Sequence, residues 1–436
     1  MNAEVFPCKG LKGSIRAQPS KNYTTRYILV SALAEGESRV CRPADSDDAR
    51  ALISCLRLMG ASIEADGNDL IIHGFGKKPS CNQILNPANA GTVLRLLLGT
   101  AALLPEARFD TDYKDSLGKR PNQDLLDSLE ELGVVTESDN GTLPITLKGG
   151  ALHGGKVTVR GDKSSQFLSS LLFLSPLIGE KVEIEVLGGL KSKPAVRTTL
   201  AVMKEAGIRV DYTDDLIHFE IPEGQEYQPG KYDVNGDWPG TSAILSAAAV
   251  LPDSDITVTG LFHDEQGEKA IVDVLREMGA DIFFKNNEAH ITGKKPLQGV
   301  SFDGDKATDA VLAMVGAAGF AEGKSRFYNV GNLRLKECDR ISEPLAELCK
   351  LGVNSEEKED EIIIYGNPEG YEGGEETDGR GDHRVIMMLT IYGLGSRKGL
   401  IINGAEHIAK SYPGFFDHLI SLGAEIKTWE KGEDEL

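Results

Sequence analysis

The stretch "LRLMGASIEADGNDLIIHG", residues 56–74, has a helical pattern that ends at Gly60, followed by two strand-like runs around a turn. The same pattern of helix, glycine, strand, turn and strand occurs six times. The six glycines, spaced by 73, 74, 72, 73 and 71 residues, are Gly60, Gly133, Gly207, Gly279, Gly352 and Gly423. Glycine suits the residue after a helix because positive φ costs it little. The spacing therefore predicts a repeat that runs along the whole chain.

Each repeat also contains a second helical stretch that is apolar nearly all round, a pattern typical of a helix buried on every side. The six stretches span residues 23–36, 91–104, 164–177, 240–251, 307–320 and 383–394. A repeat thus reads as strand, buried helix, strand, amphipathic helix and two strands. Polar runs precede the buried helices, whose N-termini favour anions unless these residues are plain caps. We predict an α/β (α+β) protein of two domains, each with three βαβαββ units.

The composition is that of an ordinary folded protein, with 40% apolar and 26% charged residues among 436. The net charge of −20 argues against nucleic acid and anionic membranes as partners. The N-terminal sequence does not have a signal-peptide pattern, and no apolar run is long enough to cross a bilayer. Six cysteines and eight histidines are scattered without metal-ligand spacing. We expect a cytoplasmic protein without a bound metal.

Basic residues lie close to the starts of the buried helices. Arg384 directly precedes the apolar run 385–394, where a buried arginine requires an anionic partner. The stretch "NLRLKECDRI", residues 332–341, packs five charged residues of both signs into ten positions. Such runs are usually solvated surface. Beside the other basic residues, we interpret this one as part of a site for an anionic small molecule.

Eight motifs resemble those of a known family. In chain order they are "PSKNYTTR" (19–26), "NAGTVLR" (89–95), "KRPNQDLL" (119–126), "SSQFLSSLL" (164–172), "SKPAVRTTL" (192–200), "NLRLKECDR" (332–340), "GDHRVIMM" (381–388) and "AKSYPGFF" (409–416). Their order and spacing resemble the 5-enolpyruvylshikimate-3-phosphate synthase family of enolpyruvyl transferases. The resemblance covers essentially the whole chain. It implies two domains with buried helices inside sheet walls, an inside-out α/β barrel with six-fold internal repetition.

The same resemblance implies a reaction. The enolpyruvyl group of phosphoenolpyruvate is transferred to the 5-hydroxyl of shikimate 3-phosphate, and phosphate is released by addition and elimination, in the shikimate pathway to chorismate and aromatic amino acids. No cofactor is implied, and a monomer is expected. We expect an N-terminal domain over 19–236, mainly for shikimate 3-phosphate. The C-terminal domain, 1–18 with 237–436, would carry the catalytic carboxylates and the phosphoenolpyruvate clamp and would close on the other domain when ligands bind.

Carried over position by position, the resemblance implies three groups of site residues. The phosphoenolpyruvate group is Lys21, Gly91, Arg120, Gln166, Arg340, Arg384 and Lys410. The shikimate 3-phosphate group is Lys21, Asn22, Arg26, Ser164, Ser165, Gln166, Ser192, Asp309, Asn332 and Lys336. The catalytic group is Asp309 beside the attacked hydroxyl, Glu337 for proton transfer at the methyl carbon, and Lys21 as a second candidate for that transfer. Gly91 is expected to leave room for substrate.

Two of the catalytic candidates also have plainer interpretations. Asp309 alone would read as a helix cap or first-turn acid, and Glu337 as an ion-pair partner of Arg340, three positions on. The chemistry nevertheless requires two acid or base groups, one for the acceptor hydroxyl and one for the methylene carbon. Because "NLRLKECDRI" supplies one of them beside several cations, we interpret this stretch as a site.

Three nearby residues are predicted to have structural roles instead. Asp339 is interpreted as the N-cap of the helix that follows it. Arg95, within a very apolar helix, is interpreted as a structural pair. His383 is given a supporting role, in which it orients the loop of Arg384.

Three positions depart from the common pattern of the family, and they leave alternatives open. Asn22 stands where Ser is usual, Leu96 where Pro is frequent, and Ala195 where Tyr is common. The first rival is the sister family that transfers enolpyruvyl to UDP-N-acetylglucosamine, although the loop 105–123 lacks the cysteine usual there. The other rivals are a non-catalytic paralogue and a protein that binds a different phosphorylated metabolite.

Overall fold

The computed structural model describes residues 1–293 and 296–430, which form two compact units. The N-terminal unit is Pro19–Val234. The C-terminal unit is Met1–Gln18 together with the chain from Asn235 onward. Each unit has its own apolar core. The chain therefore passes from one unit to the other twice, after Gln18 and after Val234.

The second crossing lies two residues before the expected boundary. The N–H of Val234 donates to the carbonyl of Cys41 at 3.2 Å, within the N-terminal unit. Asn235 instead donates from Nδ2 to Oδ2 of Asp264 at 3.0 Å. Val234 is thus bonded to the N-terminal unit and Asn235 to the C-terminal unit, so the chain changes unit between these two neighbouring residues.

The N-terminal unit contains six α-helices and twelve strands among the described residues. They are α1 (Lys21–Leu33), β3 (Glu35–Cys41), α2 (Asp47–Leu58), β4 (Ser62–Asp66), β5 (Asp69–Phe75), β6 (Ile84–Leu85), α3 (Gly91–Ala101), β7 (Ala107–Phe109), α4 (Gln123–Glu131), β8 (Val135–Asp139), β9 (Thr142–Lys148), β10 (Gly155–Arg160), α5 (Ser165–Ile178), β11 (Val182–Leu187), α6 (Lys193–Glu205), β12 (Asp211–Tyr212), β13 (His218–Ile221) and β14 (Lys231–Asp233). A 3₁₀ segment spans Leu117–Lys119. The numbering starts at β3 because the first two strands of the chain belong to the other unit.

The described part of the C-terminal unit contains six further α-helices. Its elements are β1 (Asn2–Val5), β2 (Lys12–Arg16), α7 (Trp238–Val250), β15 (Asp255–Thr259), α8 (Ile271–Glu277), β16 (Asp281–Lys285), β17 (Glu288–Thr292), β18 (Leu297–Gln298), β19 (Ser301–Asp303), α9 (Val311–Ala318), β20 (Ala321–Tyr328), α10 (Ser342–Lys350), β21 (Asn354–Lys358), β22 (Glu361–Gly366), β23 (Glu376–Asp378), α11 (His383–Gly395), β24 (Leu400–Asn403), α12 (Phe415–Ser421) and β25 (Ile426–Trp429). Four 3₁₀ segments span Gly267–Ala270, Gly304–Ala310, Gly331–Leu335 and Ala405–Lys410.

The described strands form three sheets in each unit, and every sheet begins with a parallel pair to which two strands are added antiparallel. The orders in the N-terminal unit are β14-β3-β5-β4, β6-β7-β9-β8 and β10-β11-β13-β12. Those in the C-terminal unit are β2-β15-β17-β16, β18-β20-β22-β21 and β23-β24-β1-β25, with β19 also pairing with β20. Residues 1–18 belong to the C-terminal unit because β1 and β2 complete two of its sheets.

The six helices predicted to be buried on every side are buried. They are α1, α3 and α5 in the N-terminal unit and α7, α9 and α11 in the C-terminal unit. Every residue of α7 and α9 is buried. In the N-terminal unit, the second residue of each buried helix is less buried than its neighbours: Asn22, Thr92 and Gln166. Water can therefore reach the first turns of these three helices.

The six repeat glycines adopt the predicted backbone. Each directly follows the helical turn of an amphipathic helix, α2, α4, α6, α8, α10 or α12, with φ between +76° and +106°. The predicted positive φ is thus present at all six glycines. The last six residues of the sixth predicted segment, 431–436, lie outside the described residues. Among the residues that the structure describes, no helix is both long and apolar enough to span a membrane.

Candidate functional site

The charged stretch at 332–341 folds into a buried ion-pair cluster of the C-terminal unit. Arg340, whose side chain is 2% exposed, donates from Nε to Oδ2 of Asp382 at 2.7 Å. Its Nη1 donates to Oδ1 of Asp309 at 3.0 Å, and its Nη2 to Oε2 of Glu337 at 2.8 Å. Burial acts against the guanidinium charge, but Asp382, Glu337 and Asp309 outweigh it and raise the pKa of Arg340 well above its usual value. Arg340 is thus a fixed cation that joins three carboxylates.

Glu337 lies between two cations. Its second oxygen, Oε1, is 2.9 Å from Nζ of Lys410, which ends the 3₁₀ segment Ala405–Lys410. Both side chains are less than a tenth exposed. The predicted ion pair of Glu337 with Arg340 is present, and Lys410 extends it. An anion that drew Arg340 or Lys410 away from Glu337 would increase the affinity of this carboxylate for a proton.

Arg384 is buried but incompletely satisfied. Its Nη2 is 3.7 Å from Oδ2 of Asp309, and its Nη1 contacts Sδ of Met387 at 3.6 Å. Its Nε is buried and has no hydrogen-bond partner among the described residues. Asp382 caps α11 by accepting the N–H of Arg384 at 2.8 Å, which places the arginine in the first turn. A guanidinium with such long contacts retains capacity for an anionic ligand.

Sequence reasoning missed two carboxylates of this cluster, Asp382 and Glu268. Asp382 stands before a buried helix in "GDHR", a pattern that predicts a cap but not an ion pair with Arg340. Glu268 accepts the N–H of Asp309 through Oε1 at 3.3 Å. Burial, and next the charge of Asp309, raise the pKa of Glu268 to about 7. No local pattern around Glu268 indicates this contact, because Asp309 is 41 residues away.

The residues predicted to hold the acceptor ring in this unit lie beside the cluster. Asn332 is within the 3₁₀ segment Gly331–Leu335, and Lys336 follows it directly in extended backbone. The N–H of Arg340 donates to the carbonyl of Leu333 at 3.2 Å, which ties this segment to the guanidinium. Both predicted residues are half-buried, and Oδ1 of Asn332 is itself buried.

The three structural predictions have different outcomes. Asp339 is not the N-cap residue of α10, which is Ile341, but its carboxylate accepts the N–H groups of Ile341 and Ser342 at 2.9 and 3.2 Å just before the helix. Arg95 donates to the neutral oxygens of Asn122 and Gln166 at 3.2 and 2.7 Å. His383 is buried, and its Nδ1 lies 3.7 Å from Oδ1 of Asp382, the carboxylate that caps α11.

In the N-terminal unit, Lys21 opens the first buried helix. Its Nζ is 2.9 Å from Oδ2 of Asp48, and both side chains are at most 10% exposed. Ser20 caps the helix ahead of it, and Asp48 lies in the first turn of α2. Asp48 belongs to an acidic helix start, so the sequence predicts its place but not its pairing with Lys21.

Arg26 is buried against neutral groups. It donates to Oγ1 of Thr199 at 2.9 Å and to the carbonyls of Asn22 and Ala195 at 3.0 and 3.3 Å. Burial lowers the pKa of Arg26 to about 10. Ser192 is connected to this arginine because its carbonyl accepts the N–H of Ala195 at 3.0 Å. Its φ of +52° places it in the left-handed region before α6. Of the residues predicted for the same substrate, Arg26 contacts Asn22 directly, and Ser192 is linked to Arg26 through the backbone of Ala195.

Gly91 and Arg120 are in direct contact. A Cβ at Gly91 would lie 2.5 Å from Nη1 of Arg120 and 2.9 Å from its Cζ. The structure adds a second reason for this glycine to the predicted space for substrate. Gly91 leaves room for the guanidinium of Arg120 on the first turn of α3.

The remaining predicted residues gather at the start of α5. Ser164 caps this helix and accepts the N–H of Gln166 at 3.3 Å, and Ser165 is buried in its first turn. Gln166 donates from Nε2 to Oγ1 of Thr92 at 2.7 Å. This bond joins the N-termini of α5 and α3, and Thr92 was not predicted. The sequence could have indicated Thr92, because it is the second residue of its helix, the same position as Asn22 and Gln166 in theirs.

The comparisons with known proteins agree over the whole length of the chain. The family model described as EPSP synthase (3-phosphoshikimate 1-carboxyvinyltransferase) matches residues 5–419. The chain is 50% identical over 424 residues to the 3-phosphoshikimate 1-carboxyvinyltransferase of Deinococcus radiodurans, covering 97% of this chain and 96% of that one. The chain belongs to the EPSP synthase family. The protein of the same name from Methanocaldococcus jannaschii is 39% identical, over 96% of this chain and 97% of its own.

Solved structures show the same fold as this member of the EPSP synthase family. An EPSP synthase from Acinetobacter baumannii superposes with a TM-score of 0.83 at 24% identity, over 99% of this chain and all of that one. The enolpyruvyl transferase NikO from Streptomyces tendae gives 0.80 at 18% identity, over 98% of both chains. The mixed α/β class predicted from the sequence is confirmed. Among the described residues, no group of three His, Cys, Asp or Glu side chains could hold a metal ion.

Proposed function

We infer that this chain transfers the enolpyruvyl group of phosphoenolpyruvate to shikimate 3-phosphate in the shikimate pathway, releasing phosphate. The observation that carries this inference is full-length family membership, with 50% identity to a protein named for this activity. The buried cluster of Arg340, Asp309, Glu337 and Lys410 is what such a reaction needs. It combines acid and base groups with cations in a place largely withdrawn from water.

We propose that Glu337 transfers the proton at the methylene carbon of phosphoenolpyruvate. Arg340 and Lys410 each hold one of its oxygens, at 2.8 and 2.9 Å. A substrate phosphate or carboxylate competes for these cations, and its binding therefore raises the proton affinity of Glu337. The carboxyl group then gives its proton to the methylene carbon and takes one back as phosphate leaves. Lys21, paired with Asp48, is the second candidate for this transfer.

Asp309 is proposed to accept the proton of the acceptor hydroxyl. Arg340 holds Oδ1 at 3.0 Å, and Oδ2 lies 3.7 Å from Arg384. The carboxylate is thus fixed between two guanidinium groups, as a base that receives a hydroxyl proton requires. Asp309 is not the N-cap of α9, because the N-cap residue is Ala310 and α9 has no side-chain capping bond.

The substrate groups are proposed to bind through the predicted residues of each unit. Phosphoenolpyruvate carries a phosphate and a carboxylate, which suit guanidinium and ammonium partners. Its proposed ligands are Arg340, Arg384 and Lys410 in the C-terminal unit and Lys21, Gly91, Arg120 and Gln166 in the N-terminal unit. Those for shikimate 3-phosphate are Lys21, Asn22, Arg26, Ser164, Ser165, Gln166 and Ser192, with Asp309, Asn332 and Lys336. Arg26 supports this assignment because its charge has no carboxylate partner among the described residues.

We also propose that the fold is a six-fold repeat of βαβαββ units, three in each domain, with buried helices enclosed by sheets. The support is the common arrangement of the six sheets and the burial of the six helices. The two compact units correspond to the two predicted domains, apart from Asn235 and Gly236. The cytoplasmic location and the monomeric state stay predictions from the sequence.

The test is phosphate release from phosphoenolpyruvate with shikimate 3-phosphate as acceptor, run in parallel with UDP-N-acetylglucosamine. We expect release only with the shikimate acceptor, together with a product that carries the enolpyruvyl group. Release only with the sugar nucleotide would overturn the acceptor and retain the chemistry. Substrate binding without any release would instead support the non-catalytic interpretation.

A further inference from the structure

Glu268 is a carboxylate of the C-terminal unit that the reaction above does not use. It lies in the 3₁₀ segment Gly267–Ala270 and is half-buried. Its Oε1 accepts the backbone N–H of Asp309 at 3.3 Å. Asp309 is therefore held from two sides, by Arg340 at its carboxylate and by Glu268 at its backbone.

The segment before Glu268 is fixed by a network of hydrogen bonds. Gln266 donates from Nε2 to Oδ2 of Asp264 at 2.7 Å and to the carbonyl of Gly236 at 2.9 Å. Its Oε1 accepts the N–H of Trp238 at 3.2 Å. Because Gln266 is only two residues from Glu268, this network restricts where the Glu268 carboxylate can lie.

The charged groups around Glu268 can be assigned element by element. From the segment Gly304–Ala310, Asp309 raises its pKa, and from α11, Arg384 lowers it. The helix α7 has no titratable residue. In α8, Asp273 and Arg276 pair with each other at 2.7 Å, and Lys269 donates to the carbonyl of Asp264. Asp309 and Arg384 are thus the charged side chains with the largest effects on the pKa of Glu268.

We propose that Glu268 is a positioning residue that acts through Asp309. Its carboxylate holds the Asp309 backbone in place, and its negative charge strengthens the tendency of Asp309 to take up the proton of the acceptor hydroxyl. This proposal rests on the proposed function, in which Asp309 receives that proton. Glu268 forms no bond to substrate and neither gains nor loses a proton in the step. The hydroxyl proton moves to Asp309 as the oxygen attacks carbon.

The charge of Glu268 varies with pH in the range where enzymes work. Burial and then Asp309 raise its pKa to about 7, while the N–H of Asp309 and the charge of Arg384 act in the opposite direction. Glu268 is neutral below this pH and negative above it. Since a like charge favours protonation of a neighbouring carboxylate, the assistance to Asp309 is present above about pH 7 and is lost below it.

The experiment compares wild type with Glu268→Gln from pH 5.5 to 9, measuring kcat/KM for shikimate 3-phosphate. Glutamine keeps an oxygen that can accept the Asp309 N–H but never carries the charge. The phosphate groups of both substrates also titrate near pH 6. Dividing kcat/KM of wild type by that of the variant at each pH removes the contribution of substrate titration. Glu265→Gln, an exposed glutamate of the same loop, is the matched control.

We expect the ratio of kcat/KM in wild type to that in Glu268→Gln to rise from about one below pH 6 to roughly tenfold above pH 8. A rise of this size corresponds to a change of about one unit in the pKa of Asp309, the neighbouring base. Glu268→Asp keeps the charge and should retain the pH dependence. A second readout is the infrared carboxyl band of the ligand-free protein. We expect one band to titrate near pH 7 in wild type and to be missing in Glu268→Gln.

Each outcome decides between distinct conclusions. A ratio that is constant with pH, whatever its size, would mean that Glu268 has only a structural role. If Glu268→Gln does not fold, a Glu268→Asp variant without the pH dependence would overturn the proposal, and one that retains it would support it. A wild type that releases no phosphate at any pH would overturn the proposed function itself, whereas the infrared band tests the titration of Glu268 without turnover.

Discussion

Two buried arginines, Arg340 of the C-terminal unit and Arg26 of the N-terminal unit, are held by opposite kinds of partner. In the C-terminal unit, Arg340 contacts three carboxylates within 3.0 Å. In the N-terminal unit, Arg26 contacts one hydroxyl and two carbonyls, and Arg95 contacts two neutral amide oxygens. The pKa of Arg340 is raised by its partners, whereas that of Arg26 is lowered by burial to about 10. Carboxylates therefore offset the charge of Arg340, whereas neutral oxygens surround the charge of Arg26.

The capping groups at four buried-helix N-termini also differ between the two units. In the C-terminal unit, α7 and α11 are capped by the carboxylates of Asp237 and Asp382. In the N-terminal unit, α1 and α5 are capped by the hydroxyls of Ser20 and Ser164. An N-terminus that already holds a carboxylate attracts a further anion less strongly. The hydroxyl-capped N-termini of α1 and α5 are therefore better suited to an anion than the carboxylate-capped N-termini of α7 and α11.

The largest effect should come from the C-terminal cluster. Glu337→Gln keeps the shape of the side chain but removes its capacity to transfer a proton, so we expect kcat to fall by about three orders of magnitude. Phosphate release with both substrates measures this change. The KM values should change much less, because Arg340 and Lys410 remain to bind anions.

The matched control for this variant is Glu343→Gln, a partly exposed glutamate six positions along the chain. Its kcat should stay within twofold of wild type. Equal losses in both variants would mean that removing any carboxylate from this region disturbs the fold, and Glu337 would lose its proposed role.

The second prediction compares the free energies of unfolding of two variants, Arg340→Met and Arg26→Met. Arg340→Met leaves Asp382, which is 0% exposed, without its buried cation, and should lower the free energy of unfolding by about 3–5 kcal/mol. Arg26→Met leaves Thr199, which still contacts Ser169 at 2.9 Å, and should cost about 1 kcal/mol or less. Urea unfolding followed by circular dichroism measures both.

The two variants should also differ in ligand binding. Arg26→Met should weaken the binding of shikimate 3-phosphate, measured by calorimetry, while its stability stays close to that of wild type. A large stability loss in Arg26→Met would mean that this arginine is a structural residue. The contrast between the two units would then disappear.

The local pattern of the sequence predicts much of the fold. The repeat glycines and the apolar helices are local signals, because a backbone angle and an apolar surface depend on neighbouring residues. The ion pairs are not local. Asp382 and Arg340 are 42 residues apart, and Asp309 and Arg340 are 31 apart. Only the family resemblance brought Asp309 and Arg340 into one site, and it gave no indication of Glu268.

Gly91 shows a second limit of the sequence. The motif indicates that a glycine belongs there, but not which group occupies the space that a side chain would take. In the structure that group is the guanidinium of Arg120. The packing reason for a glycine depends on a residue 29 positions further along the chain, so it could not be derived from the motif alone.

The third prediction concerns this contact. Gly91→Ala would bring a Cβ to within 2.5 Å of Arg120 Nη1, and the flexible end of the arginine has to move. We expect KM for phosphoenolpyruvate to rise roughly tenfold with kcat changed less than threefold, equivalent to about 1.4 kcal/mol of binding. Gly414→Ala is the control, since a Cβ there meets no atom within 4 Å. An unchanged KM would mean that Arg120 does not contribute to the binding of phosphoenolpyruvate.

The smallest effect is expected at Asp339, two positions after Glu337. Its carboxylate accepts the N–H groups of Ile341 and Ser342, and its second oxygen is 2.8 Å from Arg334. Burial acts against ionisation, but the two N–H groups and Arg334 outweigh it and lower the pKa of Asp339. Asp339→Ala should therefore cost about 1 kcal/mol of stability at pH 7, and kcat should stay within twofold of wild type.

The difference in stability between wild type and Asp339→Ala should depend on pH. Because the folded-state pKa is lowered, the stabilisation is present above the unfolded value and is lost as the pH falls through the folded value. Urea midpoints of wild type and Asp339→Ala should therefore converge below about pH 4. Asp339→Asn keeps a capping oxygen and should lose only a few tenths of a kcal/mol. A large loss of kcat in Asp339→Ala would place this carboxylate in the site with Glu337, and the ten-residue stretch would then contain no purely structural acid.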